Sequence, residues 1–209
     1  MIRSRNPYMQ MGVATMEKEK ESSRRVCPVW IGYMLASPVR KLMYNPRTIL
    51  APYVKEGMTV LDFGSAMGFF SIPLAQMVGP VGKVICVDIQ EKMLAQLKKR
   101  AQKAGVSAQI ETHLCTQDSL GLEPLADTIE FALLFAVVHE VPAREALFAG
   151  LASALKARAN LLVAEPKGHV AAEDFERTLS VAKQHGFVEG GTPRISRSYA
   201  VLLKRASAN

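Results

Sequence analysis

The chain has 209 residues, 49% of them hydrophobic and 22% charged, enough apolar side chain to bury a substantial core, so it reads as one domain with an extension and not as a disordered or fibrous protein. Three cysteines without zinc-ligand spacing exclude a disulfide framework and point to a reducing compartment, which makes the cytoplasm the expected location. Of the formal charge of +7, all but one unit falls in residues 1–59, with ten Lys and Arg against four Asp and Glu; the rest is nearly neutral, which argues against a nucleic-acid reader, whose basic face covers the folded domain.

Residues 1–25 mix Arg3, Arg5 and the run Glu17-Lys18-Glu19-Lys20-Glu21 without the apolar core of a secretion signal, and no stretch of the chain reaches membrane-spanning length. The next segment, Cys27 to Pro38, is apolar and aromatic. The helical spacing of Trp30, Ile31, Met34 and Leu35 suits a helix docked on the domain. Ser37 before Pro38 and Asn45 before Pro46 mark two further starts, predicting short helices over 38–44 and 46–53.

The run Val60-Leu61-Asp62-Phe63-Gly64-Ser65-Ala66-Met67-Gly68-Phe69 joins a short apolar stretch, an acid and two glycines four apart. It predicts a buried parallel strand whose carboxyl end opens into a loop where backbone can approach a ligand. A dinucleotide turn needs glycine at its first, third and sixth places; here those hold Gly64, Ala66 and Phe69, and the phenyl ring blocks close helix packing. No Lys-Ser/Thr pair follows Gly68 to make a phosphate-binding P-loop. A ligand with an amino-acid end fits better, its ammonium on Asp62 and its carboxylate on the loop amides and the next helix start.

A second predicted strand, Val84 to Val87, ends in Asp88, twenty-six residues after Asp62. A carboxylate there accepts two hydrogen bonds from a vicinal diol, or it caps the helix predicted over 90–104, whose Lys98-Lys99-Arg100 reads as a solvated face. A third strand over 109–113 leads to Gln117-Asp118-Ser119-Leu120, which either touches the ligand or turns the chain toward Gly121. The fourth, an acid-led apolar run from Asp127 to Pro142, ends in His139-Glu140. Imidazole titrates near neutrality, so His139 is a candidate base, with Glu140 orienting it or facing solvent; alternatively it only shapes a pocket or bonds a loop carbonyl. Glu165 closes a fifth strand over 160–166, as a rim residue or as a salt-bridge partner of Lys167. The segments 186–190 and 195–204, separated by Gly190-Gly191-Thr192-Pro193, predict an antiparallel hairpin.

The stretch Asp62-Phe-Gly-Ser-Ala-Met-Gly68 resembles the first motif of class I S-adenosylmethionine-dependent methyltransferases, and Asp88, residues 117–120 and residues 127–142 fall where that family has its further motifs, over about residues 47–205. Glu130-Phe131 departs from the pattern, in which an Asp often precedes the fourth strand. The resemblance implies an α/β fold: a doubly wound, Rossmann-like seven-stranded sheet, mostly parallel, with an antiparallel C-terminal hairpin and helices on both faces. It divides the chain into an N-terminal extension and helical cap, 1–46, and a cofactor-binding methyltransferase domain, 47–209. S-adenosylmethionine is the implied cofactor, bound by Asp62, Gly64, Ser65, Ala66, Gly68, Phe69, Asp88, Ile89, Asp118, Ser119, Phe135 and Tyr33. Trp30 or Tyr33 would offer a π face to the sulfonium cation.

The implied reaction is an in-line displacement at the methyl group, with His139 as the catalytic residue when the nucleophile must lose a proton. Ala136-Val-Val-His-Glu140 stands where many nucleic-acid and protein amide methyltransferases have an Asn-Pro-Pro-Tyr type of motif, which shifts the expected acceptor to a small molecule, with no nucleic acid, membrane or metal involved. Arsenite methyltransferases use cysteines, but Cys86 is expected in a buried strand, leaving Cys27 and Cys115 one short of a three-thiolate set. Two other readings stand beside this one. A non-catalytic S-adenosylmethionine sensor or scaffold would use the basic extension to hold a partner, and a nicotinamide-dependent oxidoreductase would have to explain Phe69. These motifs leave the acceptor and the methylated atom open.

Overall fold

A computed structural model describes residues 44–116 and 119–207. It opens on α1 (Pro46–Leu50), where Asn45 Oδ1 accepts the N–H of Arg47 at 3.1 Å and of Thr48 at 3.4 Å, filling two of the donors that a helix start leaves unpaired. This helix is shorter than the predicted 46–53. Its last residue, Leu50, is fully buried, and the chain turns there so that the Tyr53 ring stacks on Phe131 at 5.9 Å.

The centre of the molecule is one sheet in the order β3-β2-β1-β4-β5-β7-β6. Strands β1 (Thr59–Phe63), β2 (Lys83–Asp88), β3 (Ile110–Leu114), β4 (Ile129–Phe135) and β5 (Leu155–Pro166) are parallel, while β7 (Ser198–Arg205) pairs antiparallel with both β5 and β6 (Phe187–Gly191). The seven-stranded, mostly parallel sheet with its antiparallel C-terminal pair is the expected architecture. The last strand inserts between β5 and β6. The predicted acid at the head of β4 lies outside the strand: Asp127 sits in a left-handed turn at φ +53° and its Oδ1 accepts from Arg205 Nη1 at 3.1 Å.

Helices cover both faces, and the central strands β1, β2, β4 and the second half of β5 are buried toward both, while β3 and β6 at the sheet edges are half-buried or exposed along most of their length. On one side α1, α2 (Ser71–Val78) and α3 (Glu91–Lys103) bury Leu50, Leu74, Val78, Leu97 and Ala101 against Val60, Val84, Cys86, Phe131 and Leu133. On the other, α4 (Arg144–Ala154) and α5 (Ala172–Gln184) bury Leu147, Phe148, Leu151, Phe175 and Leu179 against Leu61, Ile85, Val87, Ala132 and Leu134. Neighbouring strand residues point to opposite faces, so a strand covered on both sides reads as a continuous apolar run.

This topology fixes where a ligand would bind. Strand β1 pairs with β2 on one side and β4 on the other, and the helices that follow β1 and β4, α2 and α4, pack on opposite faces, opening a crevice outside the carboxyl ends of those strands. Tyr33, Trp30, Cys27 and Asp118 lie outside the described residues. Among the described residues, no helix is long and apolar enough to cross a membrane.

Candidate cofactor and catalytic site

The loop leaving β1 curls tightly. Gly64, Ala66 and Gly68 have φ of +74°, +46° and +80°, while the N–H groups of Gly64 and Ser65 both donate to Val87 O at 2.9 and 3.0 Å, fastening the loop to β2. A side chain on Gly64 would place its Cβ 2.4 Å from Val137 Cγ2, closer than carbon atoms approach, so only glycine fits between this loop and the turn after β4. Ser65 is 4% exposed and its Oγ finds no hydrogen-bond partner among the described residues. A buried hydroxyl left unpaired in a ligand loop is a donor and acceptor awaiting a partner.

Asp88, at the end of β2, is 8% exposed and bridges two segments: Oδ2 accepts the N–H of Ala66 at 2.9 Å, Oδ1 that of Gln90 at 2.8 Å. Burial raises its pKa, and the N–H bonds from Gln90, Ala66 and Ile89 oppose the rise without cancelling it. The residue thus ties the β1 loop to the start of α3. A carboxylate offers about four acceptor sites, so these three N–H bonds leave it capacity to receive a diol hydroxyl. Beside it Ile89 and, on the neighbouring strand, Leu114 leave apolar surface exposed at 37% and 55%, a platform for a flat base.

Asp62 lies deeper. It is 3% exposed, and Ser71 Oγ, on the first residue of α2, donates to its Oδ2 at 2.5 Å. The adjacent Cys86 on β2 has its thiol pushed well up, by burial first and by the Asp62 charge second. Phe69 and Phe135 are also interior: with Phe70 and Tyr44 they form an aromatic cluster, Phe70 to Phe135 at 4.4 Å, Phe69 to Phe70 at 5.0 Å and Tyr44 to Phe135 at 5.1 Å. Ser119 closes its own small loop, accepting Thr116 N–H at 2.8 Å through its carbonyl and Gly121 N–H at 3.2 Å through Oγ.

The turn after β4 runs from Ala136, at φ +56°, through Val137 into a single 3-10 turn, Val138–Glu140. Its anchor is Glu165. That side chain is 1% exposed; Oε1 accepts the N–H of Val137 at 3.1 Å and of Val138 at 2.8 Å, and Oε2 accepts from His139 Nδ1 at 2.5 Å. The bond to Glu165 is the largest influence on His139 and raises its pKa; burial opposes it. Glu165 therefore pairs with His139, not with Lys167, whose Nζ lies over the Tyr199 ring at 5.1 Å. It also takes the orienting place that the sequence had offered to Glu140. The His169 ring stands edge-on 6.1 Å from that of His139.

His139 lines a cavity of about 340 Å³ together with Val141, Pro142, Arg144, Arg177 and Val181. Arg144 closes its rim by a two-pronged bond to Asp174, Nη1 to Oδ1 at 3.0 Å and Nη2 to Oδ2 at 2.9 Å. Together with Arg177 it holds the Asp174 carboxyl below its ordinary pKa.

A switch-point sheet with a glycine loop after β1, an acid closing β2 and a C-terminal strand inserted antiparallel defines the Rossmann-like methyltransferase fold. Residues 54–192 match the family described as "Methyltransferase domain", and the chain belongs to that family. It is 31% identical over 124 residues to the ubiquinone/menaquinone biosynthesis C-methyltransferase UbiE of Escherichia fergusonii, and 30% identical over 135 residues to the arsenite methyltransferase of Halobacterium salinarum. These matches take in 56% and 64% of this chain but 46% and 31% of those proteins, so the chain spans less than half the length of either.

Two solved structures share the fold. A SAM-dependent methyltransferase from Aquifex aeolicus superposes with a TM-score of 0.77 at 24% identity, covering 87% of this chain and all of that one. The [4+2]-cyclase SpnF does so with 0.66 at 14% identity, covering 79% and 81%. S-adenosylmethionine is the cofactor that goes with this family. The residues present fit it: Ser65 Oγ is unpaired among the described residues, Asp88 ends β2 with acceptor capacity to spare, and Ile89 and Leu114 leave apolar surface beside it.

Proposed function

We propose that the protein is an S-adenosylmethionine-dependent methyltransferase for a small-molecule acceptor, with His139 as the base beside the reacting atoms. The observation that carries the reading is the close packing of two loops: Val137, two residues before His139, seats on Gly64 of the cofactor loop, which supports reading the imidazole as a neighbour of the bound cofactor. When bound, the cofactor supplies a methyl group made electrophilic by the adjacent sulfonium. The chain's own residues supply the rest. Asp88 and Ser65 hold and orient it, the loop from Gly64 to Gly68 offers backbone, and His139 takes a proton from an acceptor that needs to lose one.

The named activities of the two curated relatives support a small acceptor, since one is a C-methyltransferase of quinone biosynthesis and the other an arsenite methyltransferase. Arsenite fits this chain poorly. Cys86 and Cys115 belong to opposite core layers, and burial with the Asp88 charge pushes the Cys115 thiol up to about 11, whereas soft metalloids bind thiolates. A non-methylating use of the same fold is the second reading, favoured by the structural likeness to a [4+2]-cyclase. The test is release of S-adenosylhomocysteine from S-adenosylmethionine on addition of phenols, enols, amines, thiols and arsenite. Acceptor-dependent release supports methyl transfer. Tight cofactor binding with no release on any acceptor supports the second reading.

A further inference from the structure

Glu165 does more than the proposed reaction assigns to it. Burying a carboxylate is costly unless its oxygens are filled, and among the described residues the partners of Glu165 come from one turn: the amides of Val137 and Val138 on Oε1, and His139 Nδ1 on Oε2. A carboxylate oxygen only accepts, so Nδ1 carries the hydrogen, and the lone pair of the neutral ring is on Nε2. The His139 side chain is 22% exposed against 2% for Glu165, and it lines the cavity whose other walls include the apolar Val141 and Val181 and the charged Glu140, Arg144, Glu145 and Arg177. The inner ring edge is thus anchored and the outer one faces a space that can hold a small molecule.

We propose that Glu165 is a positioning residue that fixes His139 with Nε2 as the proton acceptor, and that the site serves an acceptor hydroxyl. This rests on the methyltransferase reading and narrows its substrate class. In the step, the acceptor O–H bond breaks as its proton moves to Nε2. The oxygen bonds the methyl carbon as that carbon's bond to sulfur breaks, the electron pair stays on sulfur, and the imidazolium later gives the proton to water. A hydroxyl needs this help at neutral pH; a thiol, a few per cent thiolate already, needs it least.

The charged and titratable groups around His139 are Glu165 from β5, Glu140 from its own turn, Arg144 and Glu145 from α4, Arg177 from α5 and His169 from the segment after β5. Glu165 and Glu140 favour the imidazolium, while Arg144 and burial oppose it, and the two carboxylates prevail. Turnover of a hydroxyl acceptor accordingly rises with pH as His139 loses its proton.

The experiment is a pH titration of the full-length protein carrying 15N-histidine, followed by NMR, with His139 assigned through His139→Gln. The neutral form should be the Nδ1–H tautomer, with a midpoint above about 6.5, the ordinary value. Glu165→Gln should lower that midpoint by at least one unit, a tenfold loss of proton affinity. An Nε2–H tautomer in the unaltered protein overturns the proposal whether or not the variant folds, as does an unmoved midpoint in a folded Glu165→Gln.

The hydroxyl assignment is read on protein shown by calorimetry to bind S-adenosylhomocysteine. Turnover of a phenol or enol that falls about 100-fold or more in His139→Gln supports it. Turnover confined to thiols or arsenite, or undiminished in His139→Gln, overturns it. Failure to bind any adenosyl ligand sinks the methyltransferase reading instead, and the tautomer stays measurable without a cofactor.

Discussion

Replacing Gly64 by alanine tests how firmly the cofactor loop is seated on the turn that carries His139. The residue has φ +74°, and an added Cβ would stand 2.4 Å from Cγ2 and 2.8 Å from Cβ of Val137. A left-handed backbone with a Cβ costs about 1–2 kcal/mol, and overpacking a filled site adds about 1–3 kcal/mol, so the substitution should cost about 2–5 kcal/mol in all. Gly105 separates the two contributions. Its φ is +71° and a Cβ added there would meet nothing within 4 Å among the described residues, so Gly105→Ala should cost only the backbone share, about 1–2 kcal/mol. Urea denaturation followed by circular dichroism would measure both, the comparison holding if the slopes agree. Adding Val137→Ala to Gly64→Ala should recover part of the loss, because the nearer of the two clashing atoms, Cγ2, goes while the Cβ at 2.8 Å stays. Equal costs for Gly64→Ala and Gly105→Ala would refute the claim that the two loops interlock.

The folded-state pKa of His139 is raised, so its pairing with Glu165 contributes stability that is fully present below about 6.5 and is lost as pH rises through the higher folded value; thermal melts should show that slope, and Glu165→Gln should flatten it. Cys115, with its thiol near 11, should alkylate slowly at neutral pH and about tenfold faster per pH unit in alkaline buffer up to that value, read by mass spectrometry of the labelled peptide; fast labelling at pH 7 would contradict its burial. Arg144→Ala should cost about 1.5–3 kcal/mol by urea denaturation, because its two bonds to Asp174 are charge-assisted and the two side chains are only 21% and 27% exposed, and the loss should shrink in high salt.

Those elements whose cause is local were legible in the sequence. Asn45-Pro46 marks a helix start because the amide side chain and the missing proline N–H both suit that position, and the central strands β1, β2, β4 and β5 announce themselves because both their faces are covered. Asp88 alone reads equally as a helix cap, and its Oδ1 does accept the Gln90 N–H at the start of α3; only its distance from the Asp62 motif pointed to a ligand. The partner of Glu165 was hidden. Residues 139 and 165 are separated by a whole helix, and only the parallel pairing of β4 with β5 puts their ends together; in the sequence Lys167 was the nearer opposite charge. The insertion of β7 between β5 and β6 was equally silent, since two closing strands with a turn signal fit either order. Val137 carries no chemical signal at all, because its part is steric and depends on the glycine it covers. One signal does point to the buried acid: Glu165 is the last residue of the otherwise apolar run Leu161-Leu162-Val163-Ala164, and an acid in that place must be buried and must have partners.

The most direct test of the account is calorimetric titration of the protein with S-adenosylmethionine and S-adenosylhomocysteine, with Asp88→Ala alongside. Each hydrogen bond to a charged group contributes about 1.5–3 kcal/mol, so losing the one that Asp88 has capacity to make to the ribose should weaken both ligands at least about 10-fold. Saturable binding of both adenosyl ligands with that loss in Asp88→Ala is the predicted result. No binding, or binding that Asp88→Ala leaves unchanged, would contradict the site described.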